Sequence, residues 1–191
     1  MPISRPDALP FIGNIIWNTN PSRILDVGIG FGHMGVLFRA WTDIRMAELD
    51  PDRYHHLGWK TEIHGIEIHP PYANPLYEFI YDVVYWGDAL EEIKKLGSYD
   101  VIYLGDIIEH YEKEMGEILL RNAAQHLTPK GFLVVATPEG FRPQGPVLNN
   151  PNEEHKSGWT KADFDRFGAV SSVTLAGQTV AVFRKGGPNA T

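Results

Sequence analysis

Residues 23–35, RILDVGIGFGHMG, open with a five-residue apolar run that contains one acid and continue with four glycines. A short apolar run of this kind predicts a buried strand, and the glycines after it predict a loop that leads into a helix. Glycine lets the backbone approach a ligand closely and adopt positive φ. The stretch therefore indicates a strand–loop–helix unit whose loop holds a nucleotide-like ligand.

The glycines fit two different binding patterns. Residues 30–35 fit G-x-G-x-x-G, which is typical of dinucleotide sites, whereas residues 26–32 fit D-x-G-x-G-x-G, a pattern of S-adenosylmethionine (SAM) sites. A pyrophosphate binds at a helix N-terminus, where a nearby negative charge is unfavourable. SAM has no phosphate and carries an ammonium group that Asp26 can bind, directly or through water. Asp26 therefore favours SAM over NAD.

Length, charge and composition narrow the class of protein. The chain has 191 residues, a net charge of −7 and no cysteine. We expect one domain over residues 1–191, without disulfides, thiolate–metal sites or a cysteine nucleophile. The net charge disfavours broad binding to nucleic acid. We found no apolar run long enough for a membrane helix and no secretion signal, so we expect a cytoplasmic protein.

Short apolar runs alternate with amphipathic ones, which predicts βαβ units and a parallel sheet. The predicted strands are residues 23–27, 63–68, 83–86, 101–104 and 132–136. The predicted helices are residues 33–41, 74–81, 90–96, 111–127 and 161–167. Two further strands, 170–175 and 179–184, are joined by Ala176-Gly177-Gln178. A link of three residues with a glycine predicts a β-hairpin, so the last strand is expected to run antiparallel.

Two acids after the glycine loop suit a SAM site. Glu67 ends the second strand, where a carboxylate can bind both ribose hydroxyls. Asp88 follows the third strand and can accept from the adenine amino group, while Ala89 offers a backbone N–H. Asp88 also suits the N-cap of the next helix, with Glu91 completing a capping-box-like pattern. Both roles for Asp88 stay open at this point.

The chain contains five motifs in this order: ILDVGIGFG, GIEIHP, GDALE, YDVIYLGDIIEH and TPEG. With these motifs it resembles class I (Rossmann-like) SAM-dependent methyltransferases. The resemblance implies a three-layer α/β sandwich with a seven-stranded mixed sheet in the order 3-2-1-4-5-7-6. It also implies cofactor contacts, with residues 104–106 beside the sulfonium. These contacts are Asp26, Gly28, Ile29, Gly30, Gly32, Glu67, Ile68, Asp88, Ala89, Leu104, Gly105 and Asp106.

One spacing departs from the usual pattern. Asp26 and Glu67 are 41 residues apart, whereas an acid roughly 20 residues past the glycines is usual. The excess lies at residues 42–60, which we interpret as an extra helix and loop and as a possible homodimer contact. Glu62 is the alternative to Glu67.

Candidate catalytic residues follow the fourth predicted strand. Asp106, Glu109 and His110 are three and four residues apart, which places them on one side of a helical turn. His110 suits a general base, with Asp106 as a second catalytic candidate. With His155, the three residues can also bind Mg²⁺ or Mn²⁺. That set resembles the E-x-x-E-H arrangement of small-RNA 2′-O-methyltransferases and some ubiquinone-pathway O-methyltransferases. Alternatively, Glu109 and His110 only shape the pocket.

Two segments are predicted to cover the site. Residues 138–160 are rich in Pro, Gly and Asn and show no period, which is typical of a functional loop. Its candidate substrate contacts are Phe141, Arg142, His155 and Trp159, although the loop could instead pack on its own aromatics. Residues 1–20, with Phe11, Ile15, Ile16 and Trp17, are predicted to form a helix over the cofactor.

The chain is thus predicted to transfer a methyl group from SAM to an oxygen, or a nitrogen, of a small-molecule or saccharide-like acceptor. A methyl transfer mainly requires positioning of the two reactants. The glycine pattern leaves an NAD-dependent oxidoreductase as the second hypothesis, and a non-catalytic SAM-binding protein is the third. No membrane partner is expected.

Overall fold

The computed structural model describes residues 6–187 and contains one seven-stranded sheet in the order β3-β2-β1-β4-β5-β7-β6. Strands β1 to β5 pair in parallel, and β7 is antiparallel to both β5 and β6. The predicted sheet order and mixed sheet are confirmed. The strands are β1 Arg23–Val27, β2 Glu62–Glu67, β3 Val83–Trp86, β4 Tyr99–Gly105, β5 Leu127–Pro138, β6 Ser171–Leu175 and β7 Gln178–Arg184.

Helices cover both faces of the sheet and bury an apolar cluster against each. One cluster includes Ile12, Phe38 and Ile80, from α1, α2 and α3, and the other includes Leu90, Leu119 and Phe164, from α4, α5 and α6. The architecture is therefore the predicted three-layer sandwich. The helices are α1 Leu9–Thr19, α2 His33–Thr42, α3 Pro75–Ile80, α4 Ala89–Glu92, α5 Lys113–Gln125 and α6 Lys161–Arg166.

The terminal hairpin has a shorter turn than predicted. Ala176 and Gly177 form the link, with φ of 48° and 82°, and Gln178 already belongs to β7. Two consecutive positive φ values fit the type I′ turn that right-twisted hairpins favour. Gln178 therefore takes a strand position opposite Pro138 instead of a turn position.

Residues 42–60 contain three short 3₁₀ turns where an extra helix was predicted: Ile44–Glu48, Pro51–Tyr54 and His56–Gly58. Asp43 organises them, because its fully buried carboxylate accepts hydrogen bonds from Arg39, Arg53 and the backbone N–H groups of Lys60 and Thr61. A buried carboxylate with this many donors is well compensated. The predicted homodimer contact stays a prediction.

The described part of the N-terminal segment forms a 3₁₀ turn, Pro6–Ala8, followed by α1. Ile12 and Ile16 are buried against the sheet and α2, and Trp17 is half exposed beside the Arg45 guanidinium. Residues 1–5 lie outside the described part of the chain. No residue from 6 to 20 lines the cleft described below, so the lid role stays a prediction. None of the helices within residues 6–187 has the length and apolar character needed to cross a membrane.

Candidate functional site

A cleft opens at the carboxyl ends of β1, β2 and β4, where ligands bind in open α/β sheets. Among the described residues that line it, four are acids and none is Lys or Arg. The wall therefore suits a ligand that carries positive charge. The predicted site residues that line the cleft are Gly28, Ile29, Gly30, Glu67, Ile68, Ala89, Gly105, Asp106, Glu109, His110 and His155.

Seven of the predicted site residues do not line the cleft: Asp26, Gly32, Asp88, Leu104, Phe141, Arg142 and Trp159. The cleft is completed by residues that the sequence patterns did not single out, among them His33, Tyr72, Tyr103, Tyr111, Gln144, Asn150, Glu153 and Gln178. Tyr111 adjoins the GDIIEH motif and could have been found by proximity. His33 lies in the quoted glycine motif, and Gln144, Asn150 and Glu153 lie in the predicted covering loop, but no pattern in either segment singled them out. Tyr72, Tyr103 and Gln178 carry no local signal.

The glycine loop has the backbone conformation that its sequence predicts. Gly28, Gly30 and Gly32 have φ of 79°, 55° and 93°, which other residues rarely adopt. A Cβ on Gly28 would lie 2.9 Å from the Ile107 side chain. Gly35 completes the dinucleotide pattern but serves to pack α2, because a Cβ there would lie 2.6 Å from Tyr81.

Glu67 lies at the position predicted for the ribose-binding acid, at the carboxyl end of the second strand. It ends β2, is buried, and accepts hydrogen bonds from Gly30 N at 2.9 Å and His69 N at 2.8 Å. Burial raises the pKa of its carboxyl group, and a carboxylate still has acceptor capacity beyond these two bonds. Glu62 begins β2 at the opposite end, where it pairs with Arg23 and His64. The geometry therefore favours Glu67 over Glu62.

Asp88 takes the N-cap role of its two predicted roles. Its Oδ1 accepts from Leu90 N at 2.8 Å and from the Tyr111 hydroxyl at 2.9 Å. Glu91 does not complete a capping box and instead pairs with Lys94. Because Asp88 does not line the cleft and its neighbour Ala89 does, the structure supports Ala89 as the contact at this end.

Asp26 is buried behind the glycine loop. Its Oδ2 accepts from the Tyr81 hydroxyl at 2.6 Å, and only 1% of the residue is exposed. Burial, more than the charge of Glu67, raises the pKa of Asp26 from 3.8 to about 7. Asp26 does not line the cleft, and its predicted contact with the ammonium stays a prediction.

Asp26 makes folding stability depend on pH. The unfolded chain loses this proton near pH 3.8 and the folded protein near pH 7, so the folded state binds the extra proton in between and the free energy of unfolding falls as pH rises. Asp26→Asn removes the titratable carboxyl group and keeps an oxygen that can accept from the Tyr81 hydroxyl. Between pH 5 and pH 8, we expect the free energy of unfolding to fall by about 2–3 kcal/mol more in wild type than in Asp26→Asn. Urea denaturation at both pH values measures this, and equal losses would contradict it.

The predicted metal set is only partly assembled. Glu109, His110 and His155 each offer a ligand atom within 4.8 Å of the others, and Asp106 does not belong to this group. The physical reason is local: residues 108–110 form a 3₁₀ turn, and Asp106 precedes it with a positive φ of 48°. The helical turn predicted to align Asp106 with Glu109 and His110 therefore does not form.

The three residues differ in their surroundings. Glu109 is buried, its Oε2 accepts from Thr137 Oγ1 at 2.9 Å, and its Oε1 is buried without a hydrogen-bond partner among the described residues. Burial, with the charge of Asp106, raises the pKa of Glu109 well above its usual range. Burial lowers the pKa of His110, so His110 is neutral at pH 7 and suits a base or a metal ligand.

The imidazoles of His110 and His155 lie 5.0 Å apart. The Nδ1–H of His110 donates to Glu154 O at 3.1 Å, and that of His155 donates to Arg142 O at 2.6 Å. These carbonyl partners place the lone pair of each neutral ring on Nε2. Both rings therefore offer a basic nitrogen at the mouth of the cleft.

Of the four substrate contacts predicted in the covering loop, only His155 lines the cleft, and polar residues of the same loop accompany it. Asn150 and Glu153 line the cleft and reach Tyr72, whose hydroxyl donates to Glu153 Oε1 at 2.8 Å. Phe141 is 57% exposed and points away, whereas Trp159 is fully buried in the core under α6. The structure therefore does not support Phe141 or Trp159 as substrate contacts.

Comparisons with known proteins agree with this geometry. A family model described as a methyltransferase domain matches residues 6–168. No curated protein sequence matches significantly. The fold is similar to PigF solved with SAH, at 22% identity and a TM-score of 0.59, over 94% of this chain and 56% of that one.

Two further solved structures are similar. The mitomycin 7-O-methyltransferase MmcR has 14% identity and a TM-score of 0.60, over 93% of this chain and 54% of that one. The methyltransferase domain of bacterial CtHen1 has 13% identity and a TM-score of 0.61, over 93% of this chain and 97% of that one. At these identities the likenesses show the fold alone. The chain spans little more than half the length of PigF and MmcR.

Proposed function

Because the chain belongs to the methyltransferase-domain family, we propose that it transfers a methyl group from SAM to an oxygen atom of a small-molecule or saccharide-like metabolite. The observation that carries this proposal is the neutral His110 at the mouth of a cleft that lacks Lys and Arg among its described lining residues. A hydroxyl group needs a base when it is methylated. The acidic wall disfavours acceptors that carry phosphate.

The roles of the chain's residues follow from their positions. SAM supplies the methyl group when bound, with a sulfonium as leaving group. Glu67 binds the ribose hydroxyls, and the loop Gly28–Gly30 supports the cofactor from below. His110 would take the proton of the acceptor hydroxyl as the methyl group passes from sulfur to that oxygen, which would leave the former sulfonium as a neutral thioether. The second hypothesis, an NAD-dependent oxidoreductase, is disfavoured because the described lining residues include four acids and no Lys or Arg to offset the charge of a pyrophosphate.

A divalent cation fits the same three residues. One carboxylate oxygen and two imidazole nitrogens make a mixed donor set, which suits Mn²⁺ better than Mg²⁺. The unpartnered Oε1 of Glu109 supports this set, since a buried acceptor without a donor is unfavourable. Bound there, the cation would occupy the Nε2 lone pair of His110, so it would replace His110 as the group that activates an acceptor hydroxyl.

The test is a methyl-transfer assay with labelled SAM and a panel of sugars, phenols, other alcohols and amines, with EDTA or added Mn²⁺. We expect transfer to a hydroxyl compound and a fall in kcat of about 10²- to 10⁴-fold in His110→Ala. If a metal takes part, EDTA abolishes the activity, Mn²⁺ restores it, and Glu109→Ala no longer responds to Mn²⁺. Transfer to amines alone would overturn the oxygen assignment. SAM binding without transfer to any compound would favour a non-catalytic protein.

A further inference from the structure

Gln178 carries a polar group into the cleft that neither the glycine loop nor the catalytic cluster explains. It is 1% exposed, begins β7 directly after the hairpin turn, and lines the cleft. Its Nε2 donates to Asp106 Oδ1 at 3.1 Å and lies 3.5 Å from Oδ2. An ionised carboxylate only accepts hydrogen bonds, so the amide nitrogen must face Asp106.

The other atom of the same amide lacks a partner. Gln178 Oε1 is buried and accepts no hydrogen bond from any described residue between 6 and 187. Buried acceptors are almost always satisfied, and each exception requires an explanation. Solvent does not reach Oε1, but Gln178 lines the cleft, so a small turn of the amide would bring Oε1 to a donor on a bound ligand.

Asp106 needs to be held in place. It follows β4 with a φ of 48°, which is unfavourable for a residue with a Cβ. Its backbone N–H donates to Ala136 O at 2.8 Å, and its carboxylate accepts from Gln178. Gln178 thereby orients a carboxylate that also lines the cleft.

The position of Gln178 indicates which part of the cofactor it meets. Glu67 ends β2 and Ala89 follows β3, and these two residues mark the adenosine end of the cleft. Asp106 follows β4 and Gln178 begins β7, and both of these strands lie on the other side of β1. A cofactor with its ribose at Glu67 extends its methionine part in that direction. That part carries an ammonium with three N–H donors. Asp26, the acid first assigned to the ammonium, does not line the cleft.

We propose that Gln178 is a positioning residue of the cofactor site: its amide N–H orients Asp106, and its Oε1 accepts a hydrogen bond from the ammonium of the methionine part of SAM. The proposal rests on SAM as the cofactor and not on the identity of the acceptor. Failure of the acceptor screen would therefore leave it unaffected.

The test compares two ligands by isothermal titration calorimetry. SAH contains the ammonium, whereas 5′-methylthioadenosine contains the adenosine and sulfur but lacks the amino-acid part. In Gln178→Met we expect the Kd for SAH to rise about 10-fold or more, since a hydrogen bond to a charged group is lost. The Kd for 5′-methylthioadenosine is expected to stay within about twofold. Gln125→Met, at the exposed end of α5, is the matched control and should change neither value.

The pattern of losses decides the outcome. Equal weakening for both ligands would make Gln178 a merely structural residue, and no weakening for either would remove it from the site. If Gln178→Met does not fold, as judged by circular dichroism, Gln178→Glu provides the second test. When two adjacent carboxyl groups share one proton, the pair keeps both the donor to Asp106 and the acceptor that the Gln178 amide provides. At pH 6 this variant should therefore bind SAH within about tenfold of wild type and, where Gln178→Met folds, more tightly than that variant. A loss of more than about tenfold, as expected of Gln178→Met, would overturn the proposal.

Discussion

Replacing Glu67 by alanine is expected to weaken SAH binding by about 100-fold or more. The carboxylate ends β2 in the cleft, and each ribose hydroxyl that it binds contributes about 1.5–3 kcal/mol, as hydrogen bonds to charged groups do. The same variant loses the contacts to Gly30 N and His69 N, which hold the glycine loop against β2. Isothermal titration with SAH measures the effect.

Glu62→Ala is the matched control, because Glu62 lies on the same strand at the end away from the cleft. It should leave the Kd for SAH within about twofold, since no hydrogen bond to the ligand is lost. Glu67→Gln keeps the shape of the side chain and one acceptor oxygen, so its loss should be intermediate. Wild-type affinity in Glu67→Ala would show that Glu67 does not bind the ribose. A larger loss in Glu62→Ala than in Glu67→Ala would reverse the assignment.

Trp159→Ala is expected to lower the free energy of unfolding by about 3–5 kcal/mol, as large-to-small substitutions of buried aromatics do. The indole is fully buried and stacks on Phe164, with ring centroids 5.6 Å apart. Its Nε1–H donates to Ser157 Oγ at 3.0 Å, and the Lys113 ammonium lies 3.7 Å from the ring centroid. Removing the ring leaves a cavity under α6 and takes away the donor from which Ser157 Oγ accepts. Urea denaturation of wild type and variant gives the difference.

Phe141→Ala provides the comparison within the same loop. Phe141 is 57% exposed, so its truncation should change the free energy of unfolding by no more than about 0.5 kcal/mol. Both aromatics were predicted substrate contacts. Comparing the two variants tests whether Trp159 is a core residue and Phe141 a surface residue. If Trp159→Ala retained wild-type stability and raised only the KM for the acceptor, Trp159 would belong to the substrate site after all.

The strands and the glycine loop could be predicted because their signals are local. A five-residue apolar run predicts β1 with its observed bounds, and positive φ at Gly28 follows from the need for a residue without Cβ. The hairpin of β6 and β7 was predicted from two strand-like runs and a glycine. Its turn was predicted one residue too long, because the pairing of Gln178 with Pro138 depends on β5, some 40 residues earlier.

The contacts of the loop of residues 138–160 could not be predicted from its sequence, for a related reason. It has neither a helical nor a strand period, so nothing in its sequence says which aromatic points inward. Trp159 is buried because α6 and α5 offer Phe164 and Lys113 to its two faces. Glu153, in contrast, reaches the cleft because Tyr72, 81 residues earlier, binds its carboxylate.

The sequence by itself determined the class of fold and indicated SAM as the cofactor, since both inferences depend on short patterns: strand, glycine loop, and acids after the first strands. Only the tertiary structure decided which polar groups meet in the cleft. It buried Asp26 against Tyr81, left Asp106 out of the cluster of Glu109, His110 and His155, and brought Gln178 to Asp106. The long-range contacts among them join residues 45 to 72 positions apart. Their formation depends on strand order, register and the backbone angle at Asp106, which no local pattern encodes.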